Sequence, residues 1–223
     1  MDASALLHLL HLSSPALPIG AYAYSQGLES AVHAGAVRSE AEARDWILGL
    51  LEHVQARLDV PLLARLHAAV AQGDTLALER WTTFLAATRE SRELQEEDRA
   101  LGRALARLLA DLGIAGAREL ATHPSVTWAA AFALAAVAHE IPLREAASGY
   151  LFAWLENQVA AAVRLVPLGQ TSGRRVLLAG IAAIPATLDV GLALDEDEIG
   201  AAAPGLAALS ARHETQYTRL FRS

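Results

Sequence analysis

Histidines are the first residues to test for chemistry in this chain of 223 residues, which carries eight of them. His8 and His11 stand three apart and would share one side of a short helix. Two imidazoles leave a metal site incomplete, so the plainer reading is a pair of interfacial side chains. His139-Glu140 and His213-Glu214 each start a zincin motif but lack its second histidine. Ser13, Ser14 and Ser25 have no neighbouring histidine base, and no G-x-S-x-G elbow occurs. The chain has no cysteine, which removes disulfides and thiolate chemistry, and all 18 of its basic residues are arginine. Without lysine there is no P-loop ammonium on a phosphate and no Schiff base. Gly169-Gln170-Thr171-Ser172-Gly173 therefore reads as a helix–helix connection rather than a phosphate cradle. No catalytic residue, cofactor or metal site is expected.

Arginines beside aromatic residues remain. Arg164, Arg174 and Arg175 flank the 169–173 connection. One of them could reach into a partner as an arginine finger, and the alternative is that each pairs with a carboxylate or meets helix C-terminal carbonyls. The last twelve residues carry Arg212, Arg219 and Arg222 around Tyr217 and Phe221. In a helix the two rings, four apart, would share one side and form a docking stripe on a tail (212–223) that is mobile until a partner orders it. The alternative is an ordinary last helix packed on its own core. The candidate partner-binding residues are thus Arg164, Arg174, Arg175, Tyr217, Arg219, Phe221 and Arg222.

The elements that must position these residues read as helices. Ala and Leu dominate, hydrophobic residues make up 53% and mean hydropathy is +0.27. Such a chain has enough apolar side chain for a sizeable core and is poor in strand formers. The net charge of −7 disfavours a nucleic-acid partner. A short N-terminal helix should stop before Ser13, a second should run over 21–33, and Ser39 to Glu42 reads as a capping box. Pro61 fits the first turn of a helix behind Asp59, and Asp74 fits an N-cap. Residues 90–112 form the longest amphipathic stretch, with Arg89/Glu93 and Arg92/Glu96 expected as solvated i,i+4 pairs. Residues 176–194 approach membrane-spanning length, but Pro185 and Asp189 favour a buried helix that bends or ends near Pro185. No signal peptide is recognisable, and a cytoplasmic location is expected. Together these features imply one all-α domain over 1–223, of about nine or ten helices.

Ser13-Ser14-Pro15-Ala16-Leu17-Pro18-Ile19-Gly20-Ala21-Tyr22-Ala23-Tyr24-Ser25-Gln26-Gly27-Leu28-Glu29 resembles the N-terminal signature of the UreF family. Asp59-Val60-Pro61-Leu62, the stretch from Ala87 to Leu94, the stretch from Val163 to Gln170, and the tail from His213 to Ser223 are similar to that family in the same order. Tyr22 stands where the family often has Phe, and Ala23 where it often has Ser. The resemblance implies an all-α, dimerising, non-catalytic scaffold. Its partners would be a UreD-type protein (also called UreH), the nickel-carrying GTPase UreG and apo-urease. Two other roles remain: a regulator that supplies an arginine to the GTPase, and an independent helical enzyme, which the motif search disfavours.

Overall fold

Five helices begin where a capping side chain precedes an apolar pattern. Asp2, Ser39, Asp74, Ser91 and Thr127 each accept the backbone N–H three residues on. They open α1 (Ala3–Leu12), α3 (Glu40–Leu50), α5 (Thr75–Ala87), α6 (Arg92–Asp111) and α8 (Trp128–Ala138). The others are α2 (Leu28–His33), α4 (Val60–Gln72), α7 (Ala117–Thr122), α9 (Leu143–Leu165), α10 (Gln170–Ala193) and α11 (Pro204–His213). The computed structural model describes residues 1–200 and 203–223, and no strand occurs among them. The fold is all-α, as expected.

The Ala-rich helix α8 is the centre. Every residue from Trp128 to Ala136 is buried, so this helix is apolar all round. It packs between α4, α6 and α9, and α10 lies along α9. Small residues permit the close approaches. At Gly102 on α6 a Cβ would lie 2.4 Å from the Thr127 carbonyl carbon. Trp128, Phe132 and Tyr150 form an aromatic cluster, with Trp128 stacked on Tyr150 at 4.1 Å and Phe132 set edge-on to both.

Several boundaries differ from the sequence expectation. The helix expected over 21–33 is split into a 3₁₀ turn (Ala21–Ala23) and α2, because Gln26 (φ 52°) and Gly27 (φ 77°) take left-handed backbone angles. The helix expected to start at Pro61 instead continues from α3 through a π-helical stretch, Leu51–Asp59, into α4. Pro61 cannot donate to the carbonyl four residues back, and that Arg57 oxygen accepts from Gly200 N instead, at 3.1 Å. α3, the π stretch and α4 thus make one rod, which leaves ten separate rods, 3₁₀ turns aside, among the described residues. At Ser39 the capping box is displaced: the Glu42 carboxylate accepts from Arg38 N at 2.7 Å rather than from the cap residue. Pro185 does not end α10, which runs on to Ala193. This is the one helix among the described residues long and apolar enough to cross a membrane. One side of it is packed, with Gly180 against Leu155 and Gly191 against Val60.

Candidate functional site

The N-terminal signature folds inward. The left-handed turn at Gln26 directs its amide to the interior, where Nε2 donates to Glu97 Oε1 at 2.7 Å and Oε1 accepts from Trp154 Nε1 at 2.7 Å. Asn157 Nδ2 donates to the Tyr24 carbonyl oxygen at 3.1 Å. Glu97 is enclosed, and burial, with Asp98 adding to it, pushes its carboxyl up to about 7 against the hydrogen bonds from Ser223 and Gln26. Two small cavities, of about 30 and 50 Å³, adjoin this carboxyl. Ser13 Oγ, Gln55 Oε1 and Trp128 Nε1 line them without a partner among the described residues. Spaces of that size lined by polar atoms suit water.

Beside them lies a buried ion cluster. Arg89 spans Asp59 (2.6 and 3.1 Å) and Asp98 (2.8 Å), and the Tyr150 hydroxyl donates to Asp59 at 3.1 Å. Burial alone would lower the Arg89 guanidinium, but the two carboxylates hold it well above its usual range. Burial and Asp59 together push the Tyr150 phenol well above its own. Asp98 Oδ1 also accepts from Trp128 N at 2.7 Å, tying this cluster to the start of α8. The expected Arg89/Glu93 surface pair is therefore corrected. Arg89 precedes the N-cap Ser91 and is not on the helix face, whereas Arg92/Glu96 does form, at 2.7 Å on the surface.

Glu93 faces a third cluster. His213 is fully buried, its Nδ1 2.7 Å from Glu93 Oε2 and its Nε2 3.1 Å from Glu29 Oε2. Glu29 also accepts from the backbone N–H of Leu220 (2.7 Å) and Phe221 (2.8 Å), and Arg219 reaches Glu93 at 2.9 Å. Arg222 N donates to the Ala23 carbonyl at 2.8 Å, and Ser25 N to that of Ser223 at 2.9 Å. The structure seats this segment, expected either as a tail mobile until bound or as a last helix packed on the core, on α2 and α6. The docking stripe is not formed, because α11 ends at His213. Phe221 is buried, while Tyr217 is fully exposed.

The other candidate residues gather at the C-terminal end of α9. Arg164 and Arg174 are exposed and line an open groove of about 500 Å³ with Tyr22, Glu156 and Gln170. On the far side of that helix end, Leu165 lines a larger recess of about 850 Å³ with Arg212 and Tyr217. Arg175 is turned away and pairs with Glu40, whose carboxyl its hydrogen bonds hold down to about 2. Among the described residues neither Arg164 nor Arg174 has such a partner. Sequence reasoning thus found the exposed arginines but missed Gln26, Glu97, Asp59 and His213. Gln26, Asp59 and His213 lie inside the motif stretches, and their polarity amid apolar neighbours was the signal available.

His8 stacks on His139 with ring centroids 3.7 Å apart and planes 9° from parallel. Parallel rings keep their in-plane lone pairs from converging on one ion. No cluster of three or more metal-ligating side chains occurs among the described residues.

The comparisons with known proteins agree with one another. A family model described as UreF matches residues 37–180. The chain is 51% identical to the urease accessory protein UreF of Alkalilimnicola ehrlichii, over 96% of this chain and 94% of that protein. It is 51% identical to the protein of the same name in Azoarcus sp., over 98% and 95% of the two chains. It is 46% identical to urease accessory protein UreF 2 of Brucella anthropi, over 98% and 96%.

Proposed function

Because the chain belongs to the UreF family of urease accessory proteins, with a role in urease maturation rather than catalysis, we propose that it is the scaffold joining two other maturation factors. These are a UreD/UreH-type protein and the nickel-carrying GTPase UreG, which together act on apo-urease in the cytoplasm. The observation that carries this reading is the face at the end of α9. Arg164 and Arg174, which form no ion pair among the described residues, border an open groove with Tyr22 and Glu156, and the fully exposed Tyr217 stands across the helix end. Arginine and tyrosine anchors beside concave surface are the usual makings of an interface hot spot. Exposed Leu178 and Ile181, three apart on α10, supply a small apolar patch suited to a second copy of the chain, consistent with a homodimer inside the assembly.

Co-purification of the chain with the UreD-type protein and UreG tests the proposal. Arg164→Ala with Arg174→Ala should release a partner, whereas Arg175→Ala should not. Retention of every partner by the double variant would overturn the assignment of this face. The exposure of Arg164 also fits the regulator reading. In that case the double variant would keep the assembly intact and lose only a change in GTP turnover by the partner.

A further inference from the structure

The groove between α9 and α10 combines an aliphatic floor with a cationic rim. Val159, Ala160 and Val163 on α9 and Leu177 on α10 make the floor. A Cβ at Gly173 would lie 2.5 Å from Val163 Cγ2, so the two helices touch there and close the groove underneath. Val159 and Leu177 are buried, while Ala160 and Val163 stay half-buried and offer aliphatic surface to whatever enters.

Charge is placed unevenly around this floor. Arg164 and Arg174 are exposed on the rim and form no ion pair among the described residues. Glu156, the one carboxyl of the lining, stands eight positions before Arg164, about 12 Å back along α9. Burial raises that carboxyl against the pull of Arg174, so the Glu156 end disfavours further negative charge. Two guanidiniums against one carboxyl leave the groove positive in a chain whose net charge is −7. A guanidinium holds a carboxylate through paired N–H groups in one plane. We infer that the groove takes a short segment of a different protein in which an aspartate or glutamate stands beside an aliphatic side chain. The carboxylate meets the Arg164–Arg174 rim, and the aliphatic group covers Ala160 and Val163. This rests on the reading of the α9 end as a partner face and names what the partner brings to it.

Two other occupants fit less well. A bare phosphate would satisfy the guanidiniums but leave the aliphatic floor in water. A second copy of the chain could offer its acidic turn, residues 195–198. In that turn Glu196 already pairs with Arg80, and the Asp195 and Glu198 side chains bond the turn's own backbone.

The absence of cysteine makes a direct test available. Ala160→Cys in the full-length chain, carrying a benzophenone maleimide, is mixed with the UreD-type protein and UreG and illuminated. Gln170→Cys, at the rim, is a second position whose label does not fill the floor. The captured peptide should come from one of those proteins and hold Asp or Glu within about two residues of Leu, Ile or Val. Affinity for the captured partner, titrated at about 50 and 500 mM NaCl, should fall about tenfold with salt. Arg164→Gln with Arg174→Gln should bind about tenfold more weakly at low salt and lose most of the salt dependence, which Arg164→Lys with Arg174→Lys should restore. A captured peptide without a carboxylate would overturn the inference and leave the face a partner surface. So would binding that the glutamine pair abolishes but salt does not weaken. Capture of a second copy of the chain, or full competition by inorganic phosphate at constant ionic strength, would overturn it in favour of the other occupants. Unchanged binding in every variant, with no captured peptide, would remove the face assignment as well.

Discussion

Replacing Arg89 by Met removes the guanidinium that lies between Asp59 and Asp98. Those side chains are 1% and 8% exposed, so neither carboxylate can recover its hydration without opening the α4–α6–α8 junction. Breaking a buried pair by deleting one partner costs about 3–5 kcal/mol, and here two carboxylates lose the same partner. Against a total stability of about 5–15 kcal/mol this is a large fraction. Had Arg89 been the solvated i,i+4 partner of Glu93, the cost would be about 0.3–0.5 kcal/mol. Urea unfolding followed by helical circular dichroism separates the two, read as a shift in midpoint at unchanged slope. A loss below about 1 kcal/mol would refute the buried-cluster account. Adding Asp59→Asn and Asp98→Asn to Arg89→Met should restore part of the deficit. Asparagine keeps an oxygen for the Tyr150 hydroxyl and Trp128 N while removing the stranded charge.

Gly102→Ala should cost about 1–3 kcal/mol in the same assay, because its Cβ would meet the Thr127 backbone carbonyl at 2.4 Å. Gly49→Ala, in the same kind of helix but facing open space, should be neutral or stabilising by up to about 1 kcal/mol. Arg164→Ala should leave thermal stability within about 0.5 kcal/mol while lowering partner capture from a mixture of the maturation factors. Glu97→Gln should flatten the dependence of stability on pH. The carboxyl, raised from 4.5 to about 7, favours folding below 4.5, and that advantage, about 3 kcal/mol, is lost as pH rises to 7. Urea midpoints measured at pH 4.5, 6 and 8 for both proteins check this.

What the sequence discloses is mostly local. Ser39, Asp74 and Ser91 announce helix starts through their own side chains, and the 3.6-residue period marks which side of α6 turns inward. The long apolar run around residue 130 becomes the centre because no side of it is polar. Long-range pairing is another matter. Arg89 lies two residues before an N-cap, so helix-face spacing does not apply to it, and its partners lie on other elements. Glu93 finds His213 from 120 positions away, a relation no periodicity encodes. Among the arginines after α9, one step along α10 separates Arg174 in the groove from Arg175 on Glu40, since neighbouring helix positions point about 100° apart. The tail was judged by its composition and by the four-residue spacing of its two rings, and neither could foresee that Glu29 would offer its carboxylate to the backbone there.

The π-wound stretch of the long rod also governs which changes of chain length the fold can absorb. Each π turn carries one residue more per hydrogen-bonded loop than an α turn. The segment from Leu51 to Asp59 therefore stores surplus chain in the middle of an otherwise regular element. Excising one residue there would let the backbone rewind with ordinary α bonding, at little local cost. The facing of the downstream side chains would survive, because a π loop closes over five residues where an α loop closes over four, so Val60 to Gln72 would keep their orientation relative to α3. Leu62, Leu63 and Leu66, all fully buried, would stay together in place, whereas the same excision from the regular turns of α3 would swing them by about 100°. The stretch between Leu50 and Val60 thus absorbs the loss of one residue that the regular turns on either side could not.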